Sequence, residues 1–350
     1  MSALVDKERI RDAVINMFKV NMGLKSGEKV LVVTDMPRAE DWIKMDVEKL
    51  TDFVRRSTLA KVVSEIARES FPECPVEFYV YPATGRHGTE PPEDVGEKMK
   101  AADVVIAITT YSLTHTEARE EATKAGARIA SMPLFLTDMF YPEGPMAADY
   151  MKIKEVTEKF AKALTEAKRA RVVTAAGTDI EFSLEGRDGR SDAGIFVEKG
   201  AWGNLPSGEA YIAPVEGTGE GKIVVEVGWY PELTENMTLV VKGGEVVEVV
   251  GGGKVGDEYR ELLRPGVEEE PYKSRRNAPA ELGIGTNPYA KRPDNVLEAE
   301  KIKGTVHLAI GDNSHMGGKV SSDLHQDFVL PKPDLYLDGK LVIKGGEWLI

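Results

Sequence analysis

Three of the five histidines in this 350-residue chain, His307, His315 and His325, lie within nineteen positions. The last opens His325-Gln326-Asp327, inside Ser-Ser-Asp-Leu-His-Gln-Asp-Phe-Val-Leu. A neutral imidazole beside a carboxylate suits a divalent first-row metal. In a strand, residues two apart project from one face, so His325 and Asp327 are expected to converge on one point. His307 sits in Gly-Thr-Val-His-Leu-Ala-Ile-Gly, a β-type apolar run ending in glycine. Each histidine taken singly also fits plain packing or hydrogen bonding. The cluster, in a chain so poor in histidine, reads as a metal site.

Two glutamates stand out beside it. Asn204-Leu-Pro-Ser-Gly-Glu-Ala-Tyr-Ile-Ala-Pro214 places Glu209 in a turn running into a strand, where a surface carboxylate is the plain alternative. Ala280-Glu-Leu-Gly-Ile-Gly-Thr-Asn-Pro288 places Glu281 at the head of an apolar strand, where an unpaired carboxylate is costly to bury. Either a metal or an ion pair with Arg275 or Arg276 would satisfy it. Glu209, Glu281, His307, His325 and Asp327 together make a carboxylate–imidazole set for one metal with open positions, or for two bridged by a carboxylate. Zinc, cobalt, manganese and ferrous iron all accept such ligands.

Motifs in this order resemble the aminopeptidase T family of dinuclear metallopeptidases: Asn-Leu-Pro-Ser-Gly-Glu, then Glu-Leu-Gly-Ile-Gly, then Val-His-Leu-Ala-Ile-Gly, then His-Gln-Asp-Phe. That resemblance runs from about residue 200 onward and implies two glutamate ligands at Glu209 and Glu281, a histidine at His307, and a His-x-Asp pair at His325 and Asp327. The family's tyrosine ligand falls here on Ser314, followed by His315, and no tyrosine occurs between Tyr289 and Tyr336. His315 is therefore expected to face the metal cavity as proton donor or ligand.

Other segments are similar to 2,5-dihydroxypyridine 5,6-dioxygenases: Arg86-His-Gly-Thr-Glu-Pro-Pro92, Ser112-Leu-Thr-His-Thr116 and Ala125-Gly-Ala-Arg-Ile-Ala-Ser-Met-Pro133. This resemblance implies one non-haem iron on His325, Asp327 and either His307 or Glu281. His115 follows a strand's C-terminal end, where a substrate-binding residue is expected, unless Thr114-His-Thr with Glu117 merely caps a helix. The first expectation is a metal-dependent aminopeptidase-like hydrolase, with Glu209 or Glu281 as general base and His315 catalytic. The alternative is a mononuclear iron ring-cleaving dioxygenase. A catalytically silent metal-binding scaffold is the third.

These side chains need two kinds of framework. The first half alternates helix and buried-strand patterns: strands 28–35, 76–81, 103–110 and 127–131, with helices 7–20, 49–69, 93–101, 115–125 and 147–168. Such alternation predicts an α/β domain with a mostly parallel sheet flanked by helices. No glycine-rich phosphate motif follows the first strand, which gives nucleotide binding no support. Past residue 170 glycines multiply, and short alternating strands appear at 170–175, 179–184, 222–228, 237–242, 245–250, 304–310 and 334–343. Gly243-Gly244 and Asp338-Gly339 read as hairpin turns. The expectation is an N-terminal α/β domain over 1–168 and a C-terminal mixed α+β domain over 169–350, rich in antiparallel strands, that carries the metal.

A net charge of −13 excludes nucleic acid as the main partner, because like charge repels it. The single cysteine, Cys74, excludes an internal disulfide and a thiolate metal cluster. The charged N-terminus reads as a helix rather than a signal sequence, and no apolar run is long enough to span a membrane. A cytoplasmic enzyme acting on a small molecule or short peptide is expected, with homodimeric or larger assembly implied by the resemblance. Abundant Lys and Glu with few Gln fit a thermophilic source.

Overall fold

The computed structural model describes residues 4–350, except the side chain of Val296. Its chain divides into two compact units, Met1–Tyr150 with Gly194–Ser207, and Met151–Ala193 with Gly208–Ile350. Sequence patterning placed a single division near residue 168. Local periodicity carries no sign that a later stretch returns to the first unit.

The first unit is built on a five-stranded parallel sheet. Val30–Met36 pairs with Val76–Pro82 on one side and Val104–Thr109 on the other, and Arg128–Pro133 follows. The returning segment adds Trp202–Asn204 in parallel at the edge. Val104–Thr109 is buried along its whole length, as strands covered on both faces must be. Helices start where capping predicts. Asp46 accepts from the Lys49 N–H ahead of Val47–Ser70, and Thr116 accepts from the Arg119 N–H ahead of Glu117–Lys124. Leu31, Val33, Val95, Met99, Val105, Ala107, Ala122 and Ile129 belong to one core cluster of this unit.

Two antiparallel sheets make the second unit. One has eight strands and includes the hairpin at Gly243-Gly244. The other is a five-stranded meander in which every neighbour is antiparallel: β1 (Arg190–Asp192), β2 (Glu209–Ile212), β3 (Glu281–Gly285), β4 (Val306–Gly311) and β5 (His325–Leu330). The helix Tyr150–Glu166 contributes Phe160 and Leu164 to the core of this unit.

Strand alternation divides the residues of the meander between its two faces. Ala210, Ile212, Leu282, Ile284, Val306, Leu308, Ile310, Phe328 and Leu330 point into the main core, along with Val172, Phe182, Leu239 and Leu335 from the eight-stranded sheet. Burial of this apolar face sets the register, because a one-residue slip would send every side chain to the wrong side. The opposite face is thereby left to the polar residues at alternate positions. No helix among the described residues is long and apolar enough to cross a membrane.

Candidate metal centre

On that polar face the register brings the expected ligands together. Asp327 pairs with Ala309, and Ala309 with Glu281; His325 pairs with Gly311; His307 pairs with Gly283; Glu209 pairs with Gly285. Large charged side chains therefore lean over glycine and alanine positions. Gly283 is the clearest case. A Cβ there would stand 1.9 Å from His307 Nε2, so the imidazole lies flat where any other residue would put its side chain.

Glu281 stands at the centre. One of its carboxylate oxygens is 3.3 Å from His307 Nε2 and the other is 3.3 Å from His325 Nε2. His325 Nε2 is also 3.4 Å from Asp327 Oδ2, and His307 Nε2 is 3.5 Å from Glu209 Oε2. Among the described residues two groups have ligating atoms close enough for one ion each: Glu209, Glu281 and His307, and Glu281, His325 and Asp327. Glu281 belongs to both. Neither Arg275 nor Arg276 claims it: Arg275 pairs with Asp323, and Arg276 with Glu245 and Glu268. The ion-pair alternative for Glu281 is thus corrected.

Burial and mutual charge govern protonation here. His307 is 1% exposed and Glu281 6%. Burial lifts the Glu209 carboxyl to about 7, opposed by the charges of Lys301 and His307. Burial works against a charged His307, but its contact with Glu281 and the Glu209 charge raise it to about 9. Burial likewise disfavours a charged His325, and Asp327 and Glu281 more than offset this. Asp327 would rise on burial, yet the neighbouring His325 holds it below the ordinary carboxylate range.

The residues fit a divalent ion. Glu209 Oε2 and Asp327 Oδ1 are buried with no hydrogen-bond partner, an expensive condition that a cation relieves. His325 Nδ1 donates to the Asp312 carbonyl oxygen at 2.7 Å, which turns Nε2 toward Glu281 and Asp327, where it can ligate an ion once it gives up its proton. Orientation of this kind by an outer partner is how ligating histidines are commonly held. A donor set of oxygen and imidazole nitrogen without thiolate suits iron, manganese, cobalt or zinc.

His315 belongs to neither ligand group. It is half-exposed, its ring edge-on to His325 at 5.2 Å between centroids, and its Nδ1 is 2.6 Å from Asp312 Oδ2. Asp312 thus holds one histidine through its carbonyl and the other through its carboxylate. His115 belongs to the other unit. It is exposed on the first unit, in the turn before Glu117–Lys124, where Thr116 is the capping residue.

Sequence reading missed Lys301 and Glu300. Lys301 is 3% exposed, with Nζ 2.7 Å from Glu209 Oε1 and 2.9 Å from Glu300 Oε2. The available signal was Gly285. A glycine inside a strand often marks close backbone approach, and a Cβ there would meet the Ile302 carbonyl oxygen at 2.1 Å.

Comparison with known proteins places the chain in a family. The NicX family model, 2,5-dihydroxypyridine 5,6-dioxygenase, matches residues 12–349. The chain belongs to that family. The 2,5-dihydroxypyridine 5,6-dioxygenase of Pseudomonas putida is 28% identical over 267 residues, covering 71% of each chain. Among solved structures, 2,5-dihydroxypyridine dioxygenase from Pseudomonas putida KT2440 matches with a TM-score of 0.72 at 20% identity, covering 99% of this chain and 98% of that one. Wild-type aminopeptidase T (AmpT) from Thermus thermophilus matches with a TM-score of 0.62 at 15% identity, covering 98% and 100%. Those two structures show the shared fold.

Proposed function

We propose that this protein is a metal-dependent ring-opening dioxygenase acting on a hydroxylated heteroaromatic of the dihydroxypyridine type. The family match over residues 12–349 carries this reading in place of the hydrolase first expected from the sequence. Glu281, His325 and Asp327 would hold the ion, with Glu281 rather than His307 as third member beside the His-x-Asp pair. Ferrous iron, if held there, would supply redox and Lewis-acid chemistry suited to a hydroxylated ring and dioxygen.

The protein's own groups do the rest. Asp312 fixes His325 in the tautomer that presents Nε2. The His325 side chain is 25% exposed, against 7% for Glu281 and 15% for Asp327, so a small planar substrate would approach from that side. His315 stands beside His325 with Nδ1 on the Asp312 carboxylate, which orients it to give or take a proton through its other nitrogen.

A second reading rests on one observation, the Glu209, Glu281 and His307 group that shares Glu281 with the first. Two ions bridged by Glu281 would suit metal-assisted hydrolysis, the aminopeptidase type of chemistry.

The test is to strip the protein with chelator and reload it anaerobically with ferrous iron, or aerobically with zinc, cobalt or manganese. Oxygen uptake with 2,5-dihydroxypyridine, dependent on ferrous iron, is the expected result. Release of p-nitroaniline from leucine-p-nitroanilide by the zinc or cobalt form, with no oxygen uptake by the iron form, would replace the first reading by the second.

A further inference from the structure

The Glu209 side of the cluster already holds a cation. Lys301 Nζ bridges Glu209 Oε1 at 2.7 Å and Glu300 Oε2 at 2.9 Å. Backbone bonds anchor it. The Asn287 N–H donates to the Lys301 carbonyl at 2.9 Å, and the Lys303 N–H donates to the Asn287 carbonyl at 3.1 Å. Gly285 lets this segment lie against the sheet, since a Cβ there would also meet the Glu300 carbonyl oxygen at 2.9 Å. Lys301 is therefore a buried, tethered ammonium, not a surface side chain free to swing away.

An ion held by Glu209, Glu281 and His307 would share Glu209 with this ammonium. Two cations on one buried carboxylate repel with little water to screen them. Glu209 Oε2 and Asp327 Oδ1 both lack a hydrogen-bond partner, but Glu209 already faces Lys301 through Oε1 and His307 at 3.5 Å through Oε2. The Glu281, His325 and Asp327 group, by contrast, does not use Glu209 and has, among the described residues, no lysine or arginine on its carboxylates. We infer that Lys301 serves as a resident cation in place of a second metal, so that the chain takes one divalent ion, on Glu281, His325 and Asp327. A lysine at this position thereby selects the mononuclear form of a site whose ligands could bridge two ions. The inference rests on the metal-enzyme reading only in requiring that an ion binds at all.

Equilibrium dialysis of chelated full-length protein against Mn²⁺ alone, with the bound metal counted by mass spectrometry, tests it without any turnover. One ion per chain is expected for the wild type and for Lys301→Arg, and two for Lys301→Met. Adding Glu209→Gln to Lys301→Met should return the count to one. Two ions on the wild type, or one on a Lys301→Met protein that melts cooperatively, overturns the inference. Should Lys301→Met fail to fold, Glu209→Gln alone decides. Retention of the single ion with a Kd within about threefold of wild type supports the assignment; loss of that ion places it on Glu209 and overturns it. One ion without oxygen uptake would remove the dioxygenase reading and leave Lys301's role standing, whereas two ions with peptide hydrolysis would remove both.

Discussion

Gly283 and His307 face each other across β3 and β4, and the imidazole of one fills the space a side chain on the other would need. The φ of Gly283 is not in the left-handed region, so the constraint is steric rather than conformational. Gly283→Ala should fold but force the imidazole off Glu281 and Glu209. We expect destabilisation of about 1–3 kcal/mol, typical of overpacking, and weaker metal binding. Thermal melts and Mn²⁺ titration check it; an unchanged Kd would show that His307 plays no part in organising the cluster.

His325→Ala removes the imidazole whose Nε2 faces both Glu281 and Asp327. Bound metal should fall to trace levels while far-ultraviolet circular dichroism stays as in the wild type. The side chain lies on the polar face of β5, so its loss opens no hole in the apolar core. Full metal content in this variant would mean that the His-x-Asp pair is not the metal site.

The pH dependence of stability follows from groups whose pKa the cluster raises, Glu209 and His307 among them. Glu209 rises from 4.5 to about 7, so the folded state of the chelated protein loses stability as pH climbs through that interval. The contribution of His307, whose pKa rises from 6.5 to about 9, is complete below pH 6.5 and is lost as pH passes 9. In EDTA the melting temperature should fall by about 5–10 °C between pH 5 and pH 9. Added Mn²⁺ should restore more of it at high pH, because metal binding displaces protons from these ligands. A flat profile in EDTA would show that the cluster is not proton-coupled to folding.

His315 and Asp312 should act as a unit. His315→Ala and Asp312→Asn each disturb the 2.6 Å contact between them, while the Asp312 carbonyl still holds His325. Each variant is expected to keep its metal and lose about 10²-fold in turnover, with the double variant no worse than either alone. Full turnover in His315→Ala would make that histidine a bystander.

Several features could be read directly from the sequence. Period-two alternation in His325-Gln326-Asp327 put both side chains on one face, and β5 carries them so. Continuous apolar runs such as Asp103-Val-Val-Ile-Ala-Ile-Thr-Thr110 marked parallel strands, and Val104–Thr109 is one, buried throughout. Gly243-Gly244 marked a hairpin that joins Met237–Lys242 to Glu245–Gly251. These are local signals, because side-chain period and turn chemistry act over a few residues.

What only tertiary structure decided is distance across the chain. Glu209 and Glu281 lie 72 positions apart (281 − 209) and meet because Glu209 pairs with Gly285 across β2 and β3. That register is set on the other side of the sheet, by apolar side chains such as Ile212 and Leu282 packing into the core. The same packing decides that Glu281, not His307, joins His325 and Asp327, and that Lys301 is drawn over Gly285 onto Glu209. Nothing in the spacing of these residues encodes such neighbours. Each ligand type could be recognised locally, but which carboxylate faces which imidazole depends on how two sheets bury their apolar faces against each other.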